Sequence, residues 1–252
     1  MAIFESSAKT GMSWVKESID LFKSAPRKWL LLALAYIGFF ILLPAMPGLQ
    51  LLTFISILIW PVFLAISAAL YRNAEMKKQQ NLSETIQNIQ AKISPLIALG
   101  AACLLYAVLV GFLLNSDIQG LAELMQNKTK MTESEMMIFM QKMTPVLLKM
   151  LLLSVPLLMA TWFAPMLIAF NNYSLVKAIK SSIAGALQYA IALIAAWLLF
   201  TVGIAALMLP VIIVGALVPV LGQILLFGCF LLATAMMLAF QYVSYRDVFR
   251  AA

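Results

Sequence analysis

The stretch TWFAPMLIAFNNYSLVKAIKSS, residues 161–182, decides how the rest of the chain is interpreted. It predicts an apolar helix that ends at Asn171 and Asn172, followed by an amphipathic segment that begins near Ser174. Trp162 and Pro165 lie inside the apolar part, where a proline predicts a kink or a junction because it removes a backbone hydrogen bond. Similar successions of amphipathic segment and apolar helix occur elsewhere in the chain, so this stretch indicates an architecture.

The composition indicates a protein whose main solvent is lipid. Hydrophobic residues make up 64% of the 252-residue chain and charged residues make up 11%, whereas a soluble globular domain is about half apolar and about a quarter charged. Several apolar runs approach the length of about 20 residues that crosses a bilayer as a helix. They lack the alternating pattern of outer-membrane barrels. The predicted fold class is therefore an all-α integral membrane protein.

Six of these runs are predicted to cross the membrane, and together they form one membrane domain, residues 1–252. They cover residues 29–43, 49–71, 95–114, 145–170, 185–209 and 221–245. Pro61 lies inside the second run and predicts a second kink or site of freed carbonyls. Residues 115–144 are predicted to be a polar insertion on the outer side, and residues 210–219 a hydrophobic turn.

Three amphipathic segments, starting near Ser13, Leu82 and Ser174, each lead directly into a span. They predict cytoplasmic helices that lie in the membrane interface. For the first segment, a soluble helix packed on the protein's own cytoplasmic side is an equal alternative. Each segment and its two spans form one unit of a three-fold internal repeat, and a repeat either places a site between its units or simply builds a bundle. The predicted units are residues 11–71, 81–170 and 172–250.

The basic residues predict the orientation. If both ends of the chain are cytoplasmic, all but four of the 17 lysine and arginine side chains lie on the cytoplasmic side, as the positive-inside rule requires. The four on the outer side are Lys128, Lys130, Lys142 and Lys149. Lysines interrupt the first 28 residues, so no signal peptide is expected there.

The residues needed for catalysis are poorly represented. The chain has no histidine, no clustered carboxylates and no glycine-rich phosphate loop, so we predict that it is not an enzyme and uses no cofactor. No ionisable residue lies near the middle of a span, which argues against a proton-coupled pump. Nothing in the charge pattern predicts nucleic-acid binding.

The cytoplasmic cations predict contacts with membrane lipids, above all anionic ones. The simpler interpretation is that they only set the topology. The predicted headgroup ligands are Arg72, Lys77, Lys78, Lys177 and Lys180.

Methionines are concentrated in the outer half of the second unit. Met136, Met140 and Met143 share one face of a predicted helix, and thioethers can bind Cu(I). Methionine is more often a flexible apolar filler, so packing is the favoured interpretation and copper the weaker alternative.

The chain resembles the YciC-like group of bacterial inner-membrane proteins, which is related to the membrane domain of glycerophosphoryl diester phosphodiesterases. The resemblance is carried by residues 161–182, by GMSWVKESIDLFKS at 11–24 and by YVSYRDVF at 242–249. It implies a helical fold and a bacterial inner-membrane location. It carries no catalytic residues, and no soluble phosphodiesterase domain accompanies it here.

Three functions follow as hypotheses. The first is a non-enzymatic, multi-pass inner-membrane protein of envelope or lipid homeostasis that binds a lipid or amphiphile between the repeats. The second is a transporter or channel for a small uncharged or amphipathic solute, which a polar, water-filled path would favour and a dry, leucine-filled centre would oppose. The third is a scaffold subunit of a membrane complex. A homo-oligomer or another membrane protein as partner is left open.

Overall fold

The structure is a computed structural model that describes residues 2–78, 81–125 and 132–249. Within these ranges the regular structure is helical, and a π-helical turn at Gly38–Leu42 joins α2 to α3. The helices are α1 (Ala2–Ser24), α2 (Pro26–Ile37), α3 (Leu43–Ala45), α4 (Leu52–Glu75), α5 (Leu82–Gln90), α6 (Ile93–Met125), α7 (Glu133–Thr161), α8 (Ala164–Asn171), α9 (Leu175–Gln188), α10 (Ala190–Leu217) and α11 (Pro219–Phe249).

In the part of the chain that the structure describes, six helical segments are long and apolar enough to cross a membrane. They are Pro26–Ala45, Leu52–Glu75, Ile93–Ala122, Met136–Asn171, Ala190–Leu217 and Pro219–Phe249. The prediction of an all-helical membrane protein with six spans is therefore confirmed. The helices α1, α5 and α9 precede the first, third and fifth spans, where the amphipathic segments were predicted, while the three-fold repeat stays a prediction.

The first helix packs against the last two. A Cβ atom placed on Gly11 would lie 2.3 Å from the carbonyl oxygen of Ala192, so the backbones of α1 and α10 touch. Trp14 and Ser18 continue the same face of α1 and are fully buried. Met12 and Ile19, which are large apolar residues of the same segment, are instead exposed at the surface of the bundle. The buried face of α1 therefore consists of Gly11, Trp14 and Ser18, and the spacing of its aliphatic residues does not predict it.

The polar stretch 115–144 is helical over most of its described residues. Helix α6 continues to Met125 and α7 already begins at Glu133. The Lys149 ammonium lies 2.8 Å from the Asp117 carboxylate and joins the two helices. Polar residues end the lipid-facing part of a helix but leave its backbone hydrogen bonds intact, so α6 extends beyond the predicted end of its span at residue 114. Helix α7 includes the predicted helical face of Met136, Met140 and Met143.

The predicted turn at 210–219 is also corrected. Helix α10 passes through Pro210 and ends at Leu217, and α11 begins at Pro219. A spanning helix tolerates an internal proline because neighbouring groups satisfy the freed carbonyl. Proline is equally suited to the first position of a helix, where its missing N–H is not needed. The two prolines look alike in sequence and have opposite roles in the structure.

Packing is tightest at the end of the bundle where α4 and α11 finish. The Trp29 and Tyr71 rings stack with their centroids 4.0 Å apart, and the Tyr71 hydroxyl donates a hydrogen bond to the Ala235 carbonyl at 3.0 Å. The far end exposes large apolar side chains such as Phe112 and Leu217. The polar side chains described next lie at the tightly packed end.

Candidate functional site: a basic pocket beside a broken helix

A cavity of about 330 Å³ lies between α4, α5 and the end of α8. It will be called the basic pocket. Both α4 and the α5 segment contribute side chains at positions i, i+3, i+4 and i+7, the spacing that places residues on one face of a helix. The lining residues are Ala69, Arg72, Asn73, Met76 and Lys78 from α4 and its C-terminal end, Thr85, Asn88, Ile89 and Lys92 from the α5 segment, and Ala169, Phe170 and Asn172 from α8 and its end.

The cations of the basic pocket face no acid. Arg72, Lys78 and Lys92 line it, and none of the described lining residues is an aspartate or glutamate. Among the described residues, none of the three forms an ion pair with a carboxylate. The basic pocket thus presents three positive charges that no carboxylate of the described residues neutralises.

Arg72 is held by an aromatic ring. Its guanidinium carbon lies 5.2 Å from the centroid of Phe170, a distance at which the cation is attracted to the face of the ring. A guanidinium that rests on a ring keeps the N–H groups along its edge available, and these match carboxylate or phosphate oxygens in pairs. Because Phe170 lies in α8, this contact also fixes the position of that helix relative to α4.

The opposite wall is fixed by a hydrogen-bond chain. Thr85 is fully buried. Its hydroxyl accepts a hydrogen bond from the Asn73 amide at 3.3 Å and donates one to the carbonyl of Asn81 at 3.1 Å. This chain ties α5 to α4, so the cations that the two helices carry keep their separation before any ligand arrives.

The end of α4 decides which of two adjacent lysines enters the pocket. Lys77 has φ 54°, in the left-handed region. The N–H of Lys77 donates a hydrogen bond to the Ala74 carbonyl at 3.1 Å, and the N–H of Lys78 donates one to the Asn73 carbonyl at 2.9 Å. This pair of bonds is the Schellman motif, in which glycine usually occupies the left-handed position. The reversal directs Lys78 into the pocket, and Lys77 is not a lining residue.

The two asparagines of the predicted junction have different roles. Asn172 has φ 56° and follows the last residue of α8, and its side chain lines the basic pocket. Asparagine tolerates this conformation better than most residues. The Asn171 side chain accepts a hydrogen bond from the hydroxyl of Tyr245, which ties α8 to α11.

The fourth span is interrupted at Trp162 and Phe163, between α7 and α8. The Phe163 N–H donates to the Ser182 hydroxyl at 3.0 Å, and that hydroxyl donates to the Met159 carbonyl at 2.7 Å. The Gln241 amide donates to the Trp162 carbonyl at 2.9 Å. Side chains from α9 and α11 thus satisfy the backbone groups that the break exposes, as an interruption in a membrane span requires.

Pro165 lies two residues beyond this break, within the first turn of α8. The predicted kink is therefore a complete interruption that precedes the proline. The Trp162 indole N–H donates to the Ser244 hydroxyl at 3.2 Å, which adds a further tie to α11. This arrangement gives α8 its own direction and brings Phe170 and Asn172 to the basic pocket.

Pro61 does not interrupt its helix. Helix α4 continues from Leu52 to Glu75 through this proline. The neighbouring Trp60 donates its indole N–H to the hydroxyl of Tyr36 at 3.2 Å. The predicted kinks at Pro61 and Pro165 therefore correspond to two different backbone structures.

The remaining predicted ligands lie outside the pocket. Lys177 and Lys180 are exposed on α9, and the Lys177 ammonium lies 3.9 Å from the centroid of the Tyr173 ring. Along α7, Met136 and Met140 are about half exposed and Met143 is partly buried. Among the described residues, no group of three histidine, cysteine, aspartate or glutamate side chains forms a metal site.

A second arginine at the same end of the bundle has a contrasting environment. Arg246 contacts the carboxylates of Glu17, Glu75 and Asp247. Asp247 also accepts a hydrogen bond from the Trp14 indole at 2.9 Å, and Tyr242 donates to Glu75. This arginine cluster joins α1, α4 and α11. Glu75, three residues after Arg72, belongs to this cluster. Its carboxylate pairs with Arg246 and is therefore not a partner of the cations that line the basic pocket.

The sequence interpretation missed Lys92 as a cation that lines the basic pocket, and it missed Ser182, Gln241 and Ser244 as supports of the break. Lys92 could have been found from the spacing of Thr85, Asn88 and Lys92, which repeats that of Ala69, Arg72 and Met76. No local pattern identifies Ser182 and Gln241, because their partners lie 19 and 79 residues away. Comparisons with protein-family models, with curated proteins and with solved structures find no match for this chain.

Proposed function

We propose that this protein is a non-enzymatic, multi-pass protein of the bacterial inner membrane that binds anionic lipid headgroups in the basic pocket. Its role is then in lipid or envelope homeostasis. The observation that carries the proposal is the set of three lining cations, Arg72, Lys78 and Lys92, without a carboxylate partner among the described residues. The predicted resemblance to the YciC-like group agrees with this location.

The place of the pocket in the bundle supports a lipid ligand. Arg72 is in the last turn of α4, a helix long and apolar enough to cross a membrane. The end of a spanning helix lies at the level of the lipid headgroups. With both chain ends cytoplasmic, as the basic residues predict, this is the leaflet whose anionic lipids attract lysine and arginine.

The pocket is also prepared to hold a ligand. Phe170 fixes Arg72 from one side, and the Asn73–Thr85 hydrogen bond fixes α5 on the other. A site whose side chains are already held loses little conformational freedom on binding. A set of cations that served topology alone would have no need for either contact.

The test is lipid retention by the intact protein. The protein is placed in nanodiscs of phosphatidylcholine that contain one tenth phosphatidylglycerol, and the lipids kept after gentle extraction are counted by native mass spectrometry. We expect one anionic lipid to stay bound to the wild-type protein. The triple variant Arg72→Gln, Lys78→Gln, Lys92→Gln should lose it.

Lys16→Gln is the matched control, because Lys16 is an exposed cation of α1 outside the pocket. This variant removes a positive charge at the same end of the bundle and should keep the bound lipid. Equal retention of anionic lipid by wild type and triple variant, with unchanged thermal unfolding, would refute the proposal.

A further inference from the structure

We infer that the basic pocket selects a phosphomonoester over a phosphodiester, so that its preferred lipid is a phosphatidate rather than a phosphatidylglycerol. This inference rests on the proposed function and names the ligand class of the same site. It is carried by the number of unpaired cations in the lining, the number of their hydrogen-bond donors and the way in which Arg72 is held.

The charges favour a dianion. Arg72, Lys78 and Lys92 line one cavity of about 330 Å³. A phosphodiester brings one negative charge, and a phosphomonoester brings between 1.5 and 2 at neutral pH. The attraction to a fixed set of cations grows in proportion to the charge of the ligand. The arginine cluster does not supply this counter-charge, because its acids already bind Arg246.

The donors favour three terminal oxygens. The edge of the Arg72 guanidinium offers a pair of N–H groups, and each lysine ammonium offers up to three. Asn88 and Asn172 add amide groups to the lining. A phosphomonoester presents three strongly accepting terminal oxygens, whereas a diester has only two that are not bonded to carbon. Donors on three sides of the cavity therefore match the monoester.

The three cations approach from different directions. Arg72 stands on α4 against the Phe170 ring of α8, Lys78 follows the Schellman turn at the end of α4, and Lys92 follows α5. Because the end of α4 and the end of the α5 segment both line this cavity, a compact headgroup in it has cations of both segments as neighbours. A bulkier diester headgroup would have to place its second alcohol among these donors.

The pH dependence follows from the ligand. The second ionisation of a phosphomonoester lies near pH 6, while a phosphodiester keeps one charge throughout. The charged lining groups are Arg72 and Lys78 from α4 and its end and Lys92 from the α5 segment, and α8 contributes only Ala169, Phe170 and Asn172. Selectivity should therefore fall as the pH is lowered through 6.

The experiment measures competition between the two lipids. The full-length protein is placed in phosphatidylcholine nanodiscs with equal amounts of phosphatidate and phosphatidylglycerol of the same acyl chains, and the retained lipid is identified by native mass spectrometry. At pH 7.5 we expect about a tenfold preference for phosphatidate, falling to about threefold or less at pH 5. A ratio near one at both pH values would overturn the inference.

Two variants separate charge from geometry. Arg72→Lys keeps the charge but removes the planar pair of donors, so it should lower the preference for phosphatidate several-fold while anionic lipid is still retained. Lys16→Gln should leave the preference unchanged. Thermal unfolding of each variant, measured in parallel, checks that the bundle is intact. An unchanged preference in Arg72→Lys would contradict the assigned role of the guanidinium.

A competition experiment with soluble phosphate compounds tests whether the site recognises the lipid or the phosphate group alone. Glycerol 3-phosphate and inorganic phosphate are added to wild-type nanodiscs that already hold phosphatidate. Displacement at millimolar concentration would show that the phosphomonoester alone is recognised and would extend the inference to soluble ligands, and resistance would assign the site to the lipid.

The two proposals fail separately. Equal retention of both anionic lipids leaves the proposed function in place and refutes only the selectivity. Retention of neither anionic lipid above the phosphatidylcholine background refutes both.

Discussion

Arg72 and Arg246 lie at the same end of the bundle, but one has no acidic partner among the described residues and the other has three. Arg246 contacts Glu17, Glu75 and Asp247 and thereby ties the first helix to the fourth and the last. Arg72 shares its cavity with two lysines and rests on the ring of Phe170.

The difference separates two uses of charge. A cation whose partners belong to the chain contributes to the fold, and removing it leaves acids without a counter-charge. Cations without acidic partners repel one another and contribute little to the stability of the fold, so we expect them to serve the binding of a negatively charged ligand. The following predictions test this distinction in order of decreasing effect.

Arg246→Gln should cause the largest loss of stability. Three carboxylates would lose their shared cation, and two of them belong to helices that this contact joins to α11. We expect the free energy of unfolding to fall by about 2–3 kcal/mol, less than for a fully buried pair because the groups are partly exposed. Thermal unfolding in detergent measures the loss. If Arg72→Gln lowers stability equally, the distinction between the two arginines is wrong.

Ser182→Ala tests whether an uncharged group whose hydrogen-bond partners belong to the chain also contributes to the stability of the fold. The change leaves the Phe163 N–H and the Met159 carbonyl at the helix break without their common partner. An unsatisfied buried polar group costs about 1–3 kcal/mol, so we expect a loss of about 1–2 kcal/mol in the same unfolding assay. Ser181→Ala is the neighbouring control and should change little. Equal effects of both variants would mean that the hydroxyl of Ser182 does not support the break.

Lys77→Gly should raise stability. Lys77 holds a left-handed conformation that disfavours every residue with a Cβ atom, and glycine adopts it freely. We expect a gain of about 0.5 kcal/mol or more. Lipid retention should not change, because Lys77 does not line the pocket. Met76→Gly, at a position with ordinary φ, should give no gain. A loss of bound lipid in Lys77→Gly would place this lysine in the site after all.

The triple pocket variant should have the smallest effect on the lipid-free protein. Replacing Arg72, Lys78 and Lys92 by glutamine breaks no ion pair, and the loss of the Arg72 contact with Phe170 is offset by the removal of repulsion among the cations, so the free energy of unfolding should change by less than about 0.5 kcal/mol. The stabilisation that added anionic lipid gives to wild type should disappear. Chemical unfolding with and without lipid measures both quantities. A large loss without lipid would assign these cations to the fold.

Much of the architecture could be predicted from the sequence because it depends on length and composition. Six apolar runs of spanning length leave few alternatives to six helices. The ends of those helices were less predictable. Residues near Asp117 and Pro210 look like a loop and a turn in a one-dimensional pattern, but both continue a helix, since backbone hydrogen bonding depends little on side-chain polarity.

The site could be predicted only in part. Charge predicted Arg72 and Lys78 as headgroup ligands together with Lys77, Lys177 and Lys180, and only the first two of these five line the basic pocket. A single left-handed residue decides between Lys77 and Lys78, and neither of the lysines on α9 lines the pocket. The other wall consists of α8. This segment is a separate helix because side chains from α9 and α11 form hydrogen bonds with the backbone groups that the break between α7 and α8 exposes. Such long-range contacts leave no periodic signal in a single sequence.

The position of α1 has a consequence for how the protein is made. This helix emerges from the ribosome before α10 and α11, but most of its contacts with other helices are with these two, including the backbone contact between Gly11 and Ala192. At a synthesis rate of 5–20 residues per second, roughly ten seconds to three-quarters of a minute pass before those helices are complete. During that time the face with Gly11 and Trp14 has no partner within the chain. Insertion therefore ends with the N-terminal helix closing onto the last hairpin, and a nascent chain stalled before residue 190 should present α1 to proteases.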